Sequence, residues 1–397
     1  MGLLREKKEE KALKFNTNLK KIKPSGIRKL FDLAQRKKDL VSFGIGEPDF
    51  ITPTHIREAA KIALDEGYTR YTPNLGFPEF RKALAIKLNQ KNKISVTPEE
   101  VVVTSGGTEA LFFSFYTLLN PEDEVIIPDP GFVTYESQVY FAGGTPVNFP
   151  LRGENNFHPD LEELKNYITP KTKAILLNSP SNPTGATFNK EELLAIAEIA
   201  KENDLFIISD ELYEDIVYDD REHISFASLP GMKERTISIF GFSKSYAMTG
   251  WRLAYLAAPL NLVKEIAKLL QNTSVCANSI AQRAGLAAIQ GSQDCVKEMF
   301  TAYNKRRNVL NKGLNEIKGL SCYAPEGTFY AFVNIKNTGM SAEELSMYLL
   351  EECKVVTVPG TAFGAQGEGY IRLSFATSLE DIKEGIRRIQ KGIEKIN

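Results

Sequence analysis

The sequence predicts an α/β protein with a large domain, built on a mostly parallel sheet flanked by helices, and a smaller C-terminal α+β domain. Two observations predict the large domain: short apolar runs between residues 101 and 257 alternate with helical segments, and most runs end in polar or glycine-containing turns. This alternation favours a parallel sheet covered on both faces. The smaller domain is predicted because two strand-like runs, residues 328–335 and 370–376, lie among helical segments.

The composition argues against several classes of function. The 397 residues carry 49 basic and 50 acidic side chains, a formal net charge of -1, which gives no support to nucleic-acid or acidic-membrane binding. Four cysteines without a C-x-x-C pair and three scattered histidines predict free thiols and no metal site. Because a long apolar run and a signal-peptide core are both missing, we expect a cytoplasmic protein without a membrane span.

The N-terminal part contains two predicted elements. Residues 1–20 are highly charged and peripheral, whereas apolar residues at helical spacing predict a helix over residues 24–37. Residues 40–53 read as a short strand and a Gly/Pro loop. The G-x-G of this loop lacks a third glycine and is followed by Pro48, so we reject a dinucleotide fingerprint and expect either close backbone approach to a bound molecule or a simple tight turn.

The middle of the chain repeats one theme, an apolar strand followed by a polar turn. Helical segments separate the runs, continue from about residue 260 to 290, and include a long helix near residues 292–318. The predicted strands and turns occupy residues 101–108, 124–136, 145–150, 174–188, 205–218 and 237–257.

The segment SGGTEAL, residues 105–111, joins a strand to an apolar helix through a glycine turn. Free N–H groups and the helix dipole make such a helix start an anion site, here at Gly107 and Thr108. The segment lacks the lysine of a nucleotide-binding P-loop. The alternative is an ordinary helix cap formed by Thr108.

Polar side chains follow four of the predicted strands. A single strand-end lysine such as Lys244 is ordinarily a solvated turn residue. The other turns, however, supply an anion site, an amide, a carboxylate and a phenol, and parallel strands bring all of them to one sheet edge. Together these groups fit pyridoxal phosphate bound covalently to a lysine. The residues are Asn182, Asp210, Tyr213, Lys244 and Arg252.

Each group then has a physical role in holding that cofactor. Lys244 would be the nucleophile and later a base, and Asp210 would pair with the pyridine nitrogen so that the ring accepts electrons. Asn182 and Tyr213 would hydrogen-bond the ring's 3-oxygen. The remaining cofactor contacts are the phosphate ligands Gly107, Thr108, Ser243 and Arg252, and the stacking ring of Phe132.

The sequence resembles the class I/II aminotransferases of fold type I, the aspartate aminotransferase-like group of pyridoxal phosphate enzymes. The set of NPTG, SDE-x-Y and an SK with G-W-R six residues further on is highly specific. The matching segments keep the family's order from about residue 40 to 376. They are FGIGEPDF, YTPNLG, TSGGTEAL, PDPGFVTYE, NSPSNPTG, SDELYEDIVY, GFSKSYAMTGWRLAY, PEGTFYAF and YIRLSFA.

The resemblance implies further roles. Arg372, which would otherwise read as a surface strand arginine, would bind the substrate α-carboxylate together with Asn182, and Gly46 would offer its backbone to the substrate. Lys244 would move the proton between the substrate Cα and the cofactor. Tyr71 would reach the phosphate of a neighbouring subunit, which implies a homodimer with active sites at the interface.

The resemblance also implies the domain plan. Residues 1–50 would pack with the small domain, residues 51–290 would form the large cofactor-binding domain around a sheet of the seven-stranded type, and residues 291–397 would form the small domain. The small domain would close over the substrate and exclude water.

The activity implied is transamination between an L-amino acid and a 2-oxo acid by a ping-pong mechanism. Thr108 stands where a dicarboxylate-specific subgroup carries a lysine, so aspartate, aromatic and broad specificity all stay open. A C–S β-lyase with the same motifs is an alternative. A non-catalytic cofactor-binding regulator is another, although the residues ahead of Pro24 are too few for a DNA-binding module.

Overall fold

The computed structural model describes residues 17–22 and 39–396, and the predicted helix over residues 24–37 lies outside these ranges. The strands are β1 (Val41–Ser42), β2 (Val101–Thr104), β3 (Glu124–Asp129), β4 (Thr145–Pro150), β5 (Thr172–Asn178), β6 (Phe206–Asp210), β7 (Thr236–Gly241), β8 (Ala254–Ala257), β9 (Ser321–Cys322), β10 (Tyr330–Asn334), β11 (Val355–Val356), β12 (Val358–Pro359) and β13 (Tyr370–Ser374).

The α-helices begin after the first strand. They are α1 (Thr54–Asp65), α2 (Pro78–Gln90), α3 (Gly107–Leu118), α4 (Tyr135–Phe141), α5 (Leu161–Lys165), α6 (Lys190–Glu202), α7 (Leu260–Asn272), α8 (Ser279–Gln290), α9 (Asp294–Asn315), α10 (Ala342–Glu352) and α11 (Leu379–Ile396). Short 3-10 turns, among them Thr17–Lys21, connect several of these elements.

The large sheet has seven strands in the order β2-β8-β7-β6-β5-β3-β4. Only β8 runs antiparallel to its neighbours, so the predicted mostly parallel sheet is confirmed. Its central strands are apolar on both faces because helices cover both sides, and the side chains of Ile207, Ile208, Ile237 and Ile239 are fully buried. Since β2 and β7 are each antiparallel to β8, the strands β2, β5, β6 and β7 all end at one edge.

The second sheet is antiparallel and has four strands in the order β12-β13-β10-β9. Its core is closed by α9, α10 and α11, and α11 buries Ile382, Ile389 and Ile393 at helical spacing. The strand β1 pairs in parallel with β11, and Phe43 is fully buried in this same core. The chain just ahead of residue 50 therefore packs with the C-terminal elements, while domain boundaries at residues 50 and 290 stay a prediction.

A buried carboxylate ties the segment before β10 to the large sheet's side of the molecule. Glu326 accepts hydrogen bonds from the main-chain N–H of Thr187 and the hydroxyl of Tyr323, both at 2.9 Å, and pairs with Arg221 at 2.6 Å. His158 lies between Glu192, 2.8 Å from its Nδ1, and Glu326, 3.3 Å from its Nε2. The hydrogen bonds to these two carboxylates raise the pKa of His158 to about 9.

The raised pKa of His158 predicts a stability that depends on pH. The folded chain binds this proton more tightly than the unfolded chain, so the contribution is complete below pH 6.5 and is lost as the pH rises towards 9. The shift corresponds to on the order of 3 kcal/mol. We expect denaturant titrations to show that His158→Gln lowers the free energy of unfolding at pH 6 and has little effect at pH 10. An equal loss at both pH values would contradict this account.

Candidate active site

Although the turn after β2 is not among its lining residues, one cavity of about 460 Å³ lies at the ends of β5, β6 and β7. This is the position at which open α/β sheets bind their ligands. The walls come from four parts of the chain: the turns after β5, β6 and β7, the segment after β3, the loop that follows β1, and the strands β10 and β13. The lining residues are Gly44, Ile45, Gly46, Phe132, Tyr135, Asn178, Asn182, Asp210, Leu212, Tyr213, Lys244, Tyr330 and Arg372.

Lys244 follows β7 and points its amine into this cavity. The Nζ atom donates a 2.5 Å hydrogen bond to the carbonyl oxygen of Gly46, and it lies 5.6 Å from the ring centre of Tyr213 and 5.7 Å from that of Phe329. Burial, assisted by the positive charge of Arg372, lowers the pKa of Lys244 to about 8. An amine with this pKa has a larger neutral, nucleophilic fraction near neutral pH than an ordinary lysine.

Asp210 ends β6 with only 3% of its surface exposed. Its Oδ2 accepts a 2.7 Å hydrogen bond from the hydroxyl of Tyr135, and its Oδ1 accepts a 3.3 Å bond from the N–H of Leu212. Burial raises the pKa of this carboxyl to about 6, although both hydrogen bonds act in the opposite direction. The side chain is therefore a fixed, desolvated carboxyl group at the floor of the cavity.

Arg372 reaches the cavity from β13, in the second sheet, and is buried. One Nη donates to Oδ1 of Asn182 at 2.9 Å and the other to the carbonyl of Gly44 at 2.8 Å, while its guanidinium stacks 4.3 Å from the ring centre of Tyr330. These two bonds use two of the five N–H groups. The buried Nε has no partner among the described residues. A carboxylate is the ligand that fits such a buried cation with donors to spare.

A pair of tyrosines closes the cavity near the lysine. The hydroxyls of Tyr213 and Tyr330 lie 2.8 Å apart, and burial raises the pKa of Tyr213 well above its ordinary value. Gly46 passes so close that a Cβ added to it would stand 2.4 Å from the hydroxyl oxygen of Tyr330. The backbone of Gly46 therefore packs against Tyr330 and Lys244 at the wall of the cavity.

The glycine turn before α3 forms an anion cradle. Gly106 is the N-terminal cap, with φ of 91°, and a Cβ there would lie 2.4 Å from Nη2 of Arg252. The N–H groups of Gly107 and Thr108 have no acceptor inside the helix, because they belong to its first turn. Thr108 is the second helical residue, so the alternative in which it caps the helix is wrong: a positive φ favours glycine at the cap.

The remaining predicted site residues, Phe132, Ser243 and Tyr71, do not lie together in the structure. Phe132 lines the cavity with its ring centre 5.6 Å from that of Tyr135, and Ser243 lies half-buried beside Lys244. Tyr71 is 86% exposed and lies outside the lining set.

Sequence reasoning did not assign roles to six residues of the cavity wall. They are Gly44, Ile45, Tyr135, Asn178, Leu212 and Tyr330. Tyr135 and Tyr330 could have been identified from the sequence, since they stand in the quoted segments PDPGFVTYE and PEGTFYAF. Their pairing with Asp210 and Tyr213, respectively, follows only from the fold.

The residues present fit pyridoxal phosphate. The Arg252 guanidinium packs directly against Gly106, next to the helix start at Gly107, and an arginine beside a helix N-terminus is a donor set that suits a phosphate. Lys244 offers an amine with a lowered pKa, and Asp210 offers a buried carboxyl for a ring nitrogen.

Comparison with known proteins agrees with this geometry. The family model described as aminotransferase class I and II matches residues 38–389. The chain belongs to this family. It is 47% identical to an aspartate aminotransferase of Pyrococcus abyssi, over 93% of this chain and 96% of the relative, and 46% identical to an aromatic-amino-acid aminotransferase of Thermococcus litoralis, over 95% and 97%.

Among solved structures, the aromatic aminotransferase of Pyrococcus horikoshii aligns with this aminotransferase at a TM-score of 0.88 and 44% identity, covering 92% of this chain and 99% of the other. The chain is thus a pyridoxal phosphate-dependent aminotransferase of fold type I. Within the described ranges, no helix has both the length and the apolar composition that crossing a membrane requires. The same ranges contain no group of three His, Cys, Asp or Glu side chains placed to hold a metal ion.

Proposed function

We propose that this aminotransferase exchanges an amino group between an L-amino acid and a 2-oxo acid at the cavity that Lys244, Asp210 and Arg372 share. The observation that carries the assignment is the position of two cations on one small cavity, one an amine with a pKa of about 8 and one a permanently charged guanidinium. The first suits a proton-transferring base and the second a carboxylate anchor.

The residues divide the work of the reaction. When bound, pyridoxal phosphate supplies an aldehyde that takes up the amino group and a ring that accepts electrons. Arg372 and Asn182 hold the α-carboxylate of the substrate, which turns the Cα hydrogen towards Lys244. The Lys244 amine removes that proton and delivers it to the other side of the reacting bond. Asp210, held by Tyr135, would supply a negative charge for the ring nitrogen, and the Tyr213 hydroxyl would donate a hydrogen bond to the ring oxygen.

The cavity wall supports an aromatic or large apolar donor over aspartate. Among its lining residues in the described chain, Lys244 and Arg372 are the cations, and both are committed to the roles above. The remaining wall is rich in apolar and aromatic side chains, and Thr108 offers no charge for a second carboxylate. The wall residues concerned are Ile45, Phe132, Tyr135, Leu212 and Tyr330. The relatives named for aspartate and for aromatic substrates are equally similar to the chain.

A screen of half-reactions tests the function. The enzyme is mixed in turn with Asp, Glu, Ala, Phe, Tyr, Leu, Met and kynurenine, while loss of the cofactor's aldehyde absorbance and release of ammonia are followed. We expect conversion to the amino form without stoichiometric ammonia, and a higher kcat/KM for Phe and Tyr than for Asp. An S-alkyl cysteine is run beside these donors, because β-elimination needs a leaving group on Cβ. Stoichiometric ammonia and pyruvate from it without the amino form would establish a β-lyase instead, and a preference for Asp would overturn the aromatic assignment.

Replacing Arg372 with lysine should raise KM for the amino acid far more than it lowers kcat. Lysine keeps the charge but loses the planar fork that engages Asn182, Gly44 and the substrate together. A bidentate, charge-assisted contact of about 2–3 kcal/mol corresponds to roughly 30-fold to 150-fold in KM. Steady-state kinetics would show this, with Arg235→Lys, which alters an exposed pair with Asp204, as the control. An unchanged KM would remove Arg372 from the substrate site.

The exposed Tyr71 supports a homodimer in which this side chain completes the phosphate site of the partner subunit. With 86% of its surface exposed in the single chain, the Tyr71 side chain is free to reach a partner subunit, and tyrosine is enriched at such interfaces. Analytical ultracentrifugation should show a dimer, and Tyr71→Ala should weaken cofactor retention while the fold stays intact. A monomer with full activity would refute this assembly.

We also propose a cytoplasmic location for the enzyme. The four cysteines are free thiols, which a reducing compartment preserves. Fractionation of the source cells with an antibody against the chain would test the location.

A further inference from the structure

The turn that carries Asp210 and Tyr213 has a second face, directed away from the cavity. Asp210, Leu212 and Tyr213 line the cavity, while Glu211, Glu214 and Asp215 make their contacts behind it. All three of these carboxylates belong to buried or half-buried residues. Placing these carboxylates away from water costs free energy unless each is paired. Their partners therefore identify the parts of the chain that the second face holds together.

Asp215 joins the lysine loop to this turn. The hydroxyl of Ser245, the residue next to Lys244, donates a 2.6 Å hydrogen bond to Oδ2 of Asp215. The other carboxylate oxygen, Oδ1, accepts a hydrogen bond from the ammonium of Lys91, just beyond the end of α2. One carboxylate therefore connects α2, the Asp210 turn and the Lys244 loop.

The neighbouring carboxylates anchor the same turn. Glu214 pairs with Lys87 and accepts a 2.7 Å hydrogen bond from Asn92. Burial disfavours its charge, yet Lys87 and Lys91 overcome this and lower the pKa of Glu214 to about 2. Glu214 therefore stays ionised, and its pair with Lys87 holds the turn against α2. The next residue of this turn, Asp215, forms the bond with Ser245.

The strands alone leave the lysine loop unattached at this point. The pairing of β6 with β7 ends at Asp210 opposite Ile239, and one more main-chain bond follows, from the N–H of Glu211 to the carbonyl of Ile239. Beyond it, within the described chain, the Ser245–Asp215 bond is the hydrogen bond that joins residues 211–216 to residues 242–248.

We propose that Asp215 and Ser245 are a positioning pair that fixes the Lys244 amine relative to Asp210 and Tyr213. The inference rests on the proposed function of those three residues. Neither Asp215 nor Ser245 belongs to the lining set of the cavity, so neither acts on the substrate directly. Their bond sets how far the backbone of Lys244 stands from the turn. A displacement of about 1 Å at a proton-transferring group can cost 10²-fold in rate.

Kinetics of the holoenzyme give the first test. We expect Ser245→Ala and Asp215→Ala each to lower kcat by roughly 10-fold to 100-fold, with KM for the amino acid changed less than about 3-fold, since Arg372 is untouched. Asp215→Asn keeps an oxygen acceptor for Ser245 and should lose less. The matched control is Ser114→Ala, which removes an equally buried hydroxyl whose bond, to the carbonyl of Ala110, stays within α3. A normal kcat in Ser245→Ala would overturn the proposal.

Coupling between the two residues gives the second test. If the bond is what matters, the double variant Ser245→Ala/Asp215→Ala should be no slower than the worse single variant. Losses that multiply would mean that the residues act separately and would refute the pair. Should the Asp215→Ala chain fail to fold, the same cycle is run with Asp215→Asn and with Lys91→Gln, which loosens Asp215 from its outer side.

The third test needs no cofactor, so it stands apart from the proposed function. In the apoprotein, the rate at which acetic anhydride acetylates Lys244 is measured by peptide mass spectrometry across pH 6 to 11. The charges that act on this amine, on Arg372, Glu47, Arg252 and Asp210, are present in every variant. We expect the midpoint to move by at least about 0.5 pH unit in Ser245→Ala and not in Ser114→Ala, because a displaced amine meets different burial and charge. Identical profiles would refute the positioning role even if catalysis failed for other reasons.

Discussion

Replacing Lys244 with alanine should abolish turnover while leaving a folded protein that still binds pyridoxal phosphate. The loss should be at least about 10⁴-fold in kcat, because the amine that moves the proton is removed and a general base alone contributes up to that factor. Binding should persist because the Gly106–Arg252 cradle, Asp210 and Asn182 are untouched. Stopped-flow kinetics of the half-reaction with the best donor and a cofactor titration measure the two quantities.

Borohydride reduction identifies the reacting lysine directly. Reduction of the wild-type holoenzyme should fix the cofactor to the peptide containing Lys244, and Lys244→Ala should give no fixed label. Lys244→Arg keeps a positive charge but supplies no neutral amine, so it should be as slow as the alanine variant. Lys233→Ala, which alters a half-buried lysine paired with Glu100, is the control and should behave as wild type. Label on any other lysine would refute the assignment of Lys244.

The sequence permitted Lys244 and Asp210 to be predicted because their positions follow from topology. Both come at the carboxyl ends of apolar strands, and parallel strands bring such ends together whatever the details of packing. The same argument predicts Asn182, in the turn after β5, and the anion cradle after β2. This argument needs only the positions of the strands, which are recognisable because the strands of a buried parallel sheet are runs of valine, isoleucine and leucine.

The role of Arg372 could not be predicted by that argument. The residue lies in the middle of β13, in a different sheet, and only the family resemblance singled it out. The bonds from Tyr135 to Asp210 and from Ser245 to Asp215 join residues 75 and 30 positions apart, so their partners depend on how helices and loops pack. The alternative in which Thr108 caps α3 fails for a local reason. A threonine near a helix start is a common cap, but here the backbone turns through a positive φ that Gly106 tolerates.

Asp210→Asn should separate the stability of this site from its chemistry. Burial raises the pKa of Asp210 from 3.8 to about 6, so the folded apoprotein binds this proton more tightly than the unfolded chain does. Its ionisation therefore destabilises the fold progressively as the pH rises from about 4 to about 6, and the loss remains above that range. Asparagine carries no charge and can still accept the Tyr135 hydrogen bond. At pH 7 the variant apoprotein should be more stable than wild type, by up to about 3 kcal/mol.

The activity of the Asp210→Asn variant should fall, although its stability rises. Without a carboxylate opposite the ring nitrogen, the positive charge that draws electrons into the ring is no longer stabilised, and kcat should fall by about 10²-fold to 10³-fold. Denaturant titrations of the apoprotein at pH 4 and pH 7, beside half-reaction rates of the holoenzyme, measure both effects. Tyr135→Phe is the companion variant: it keeps the charge, removes its hydrogen bond and should cost far less activity. Full activity in Asp210→Asn would contradict the role of the carboxylate. A stability gain joined to lost turnover would show that the enzyme keeps a buried charge at a net cost to its fold because the reaction requires it.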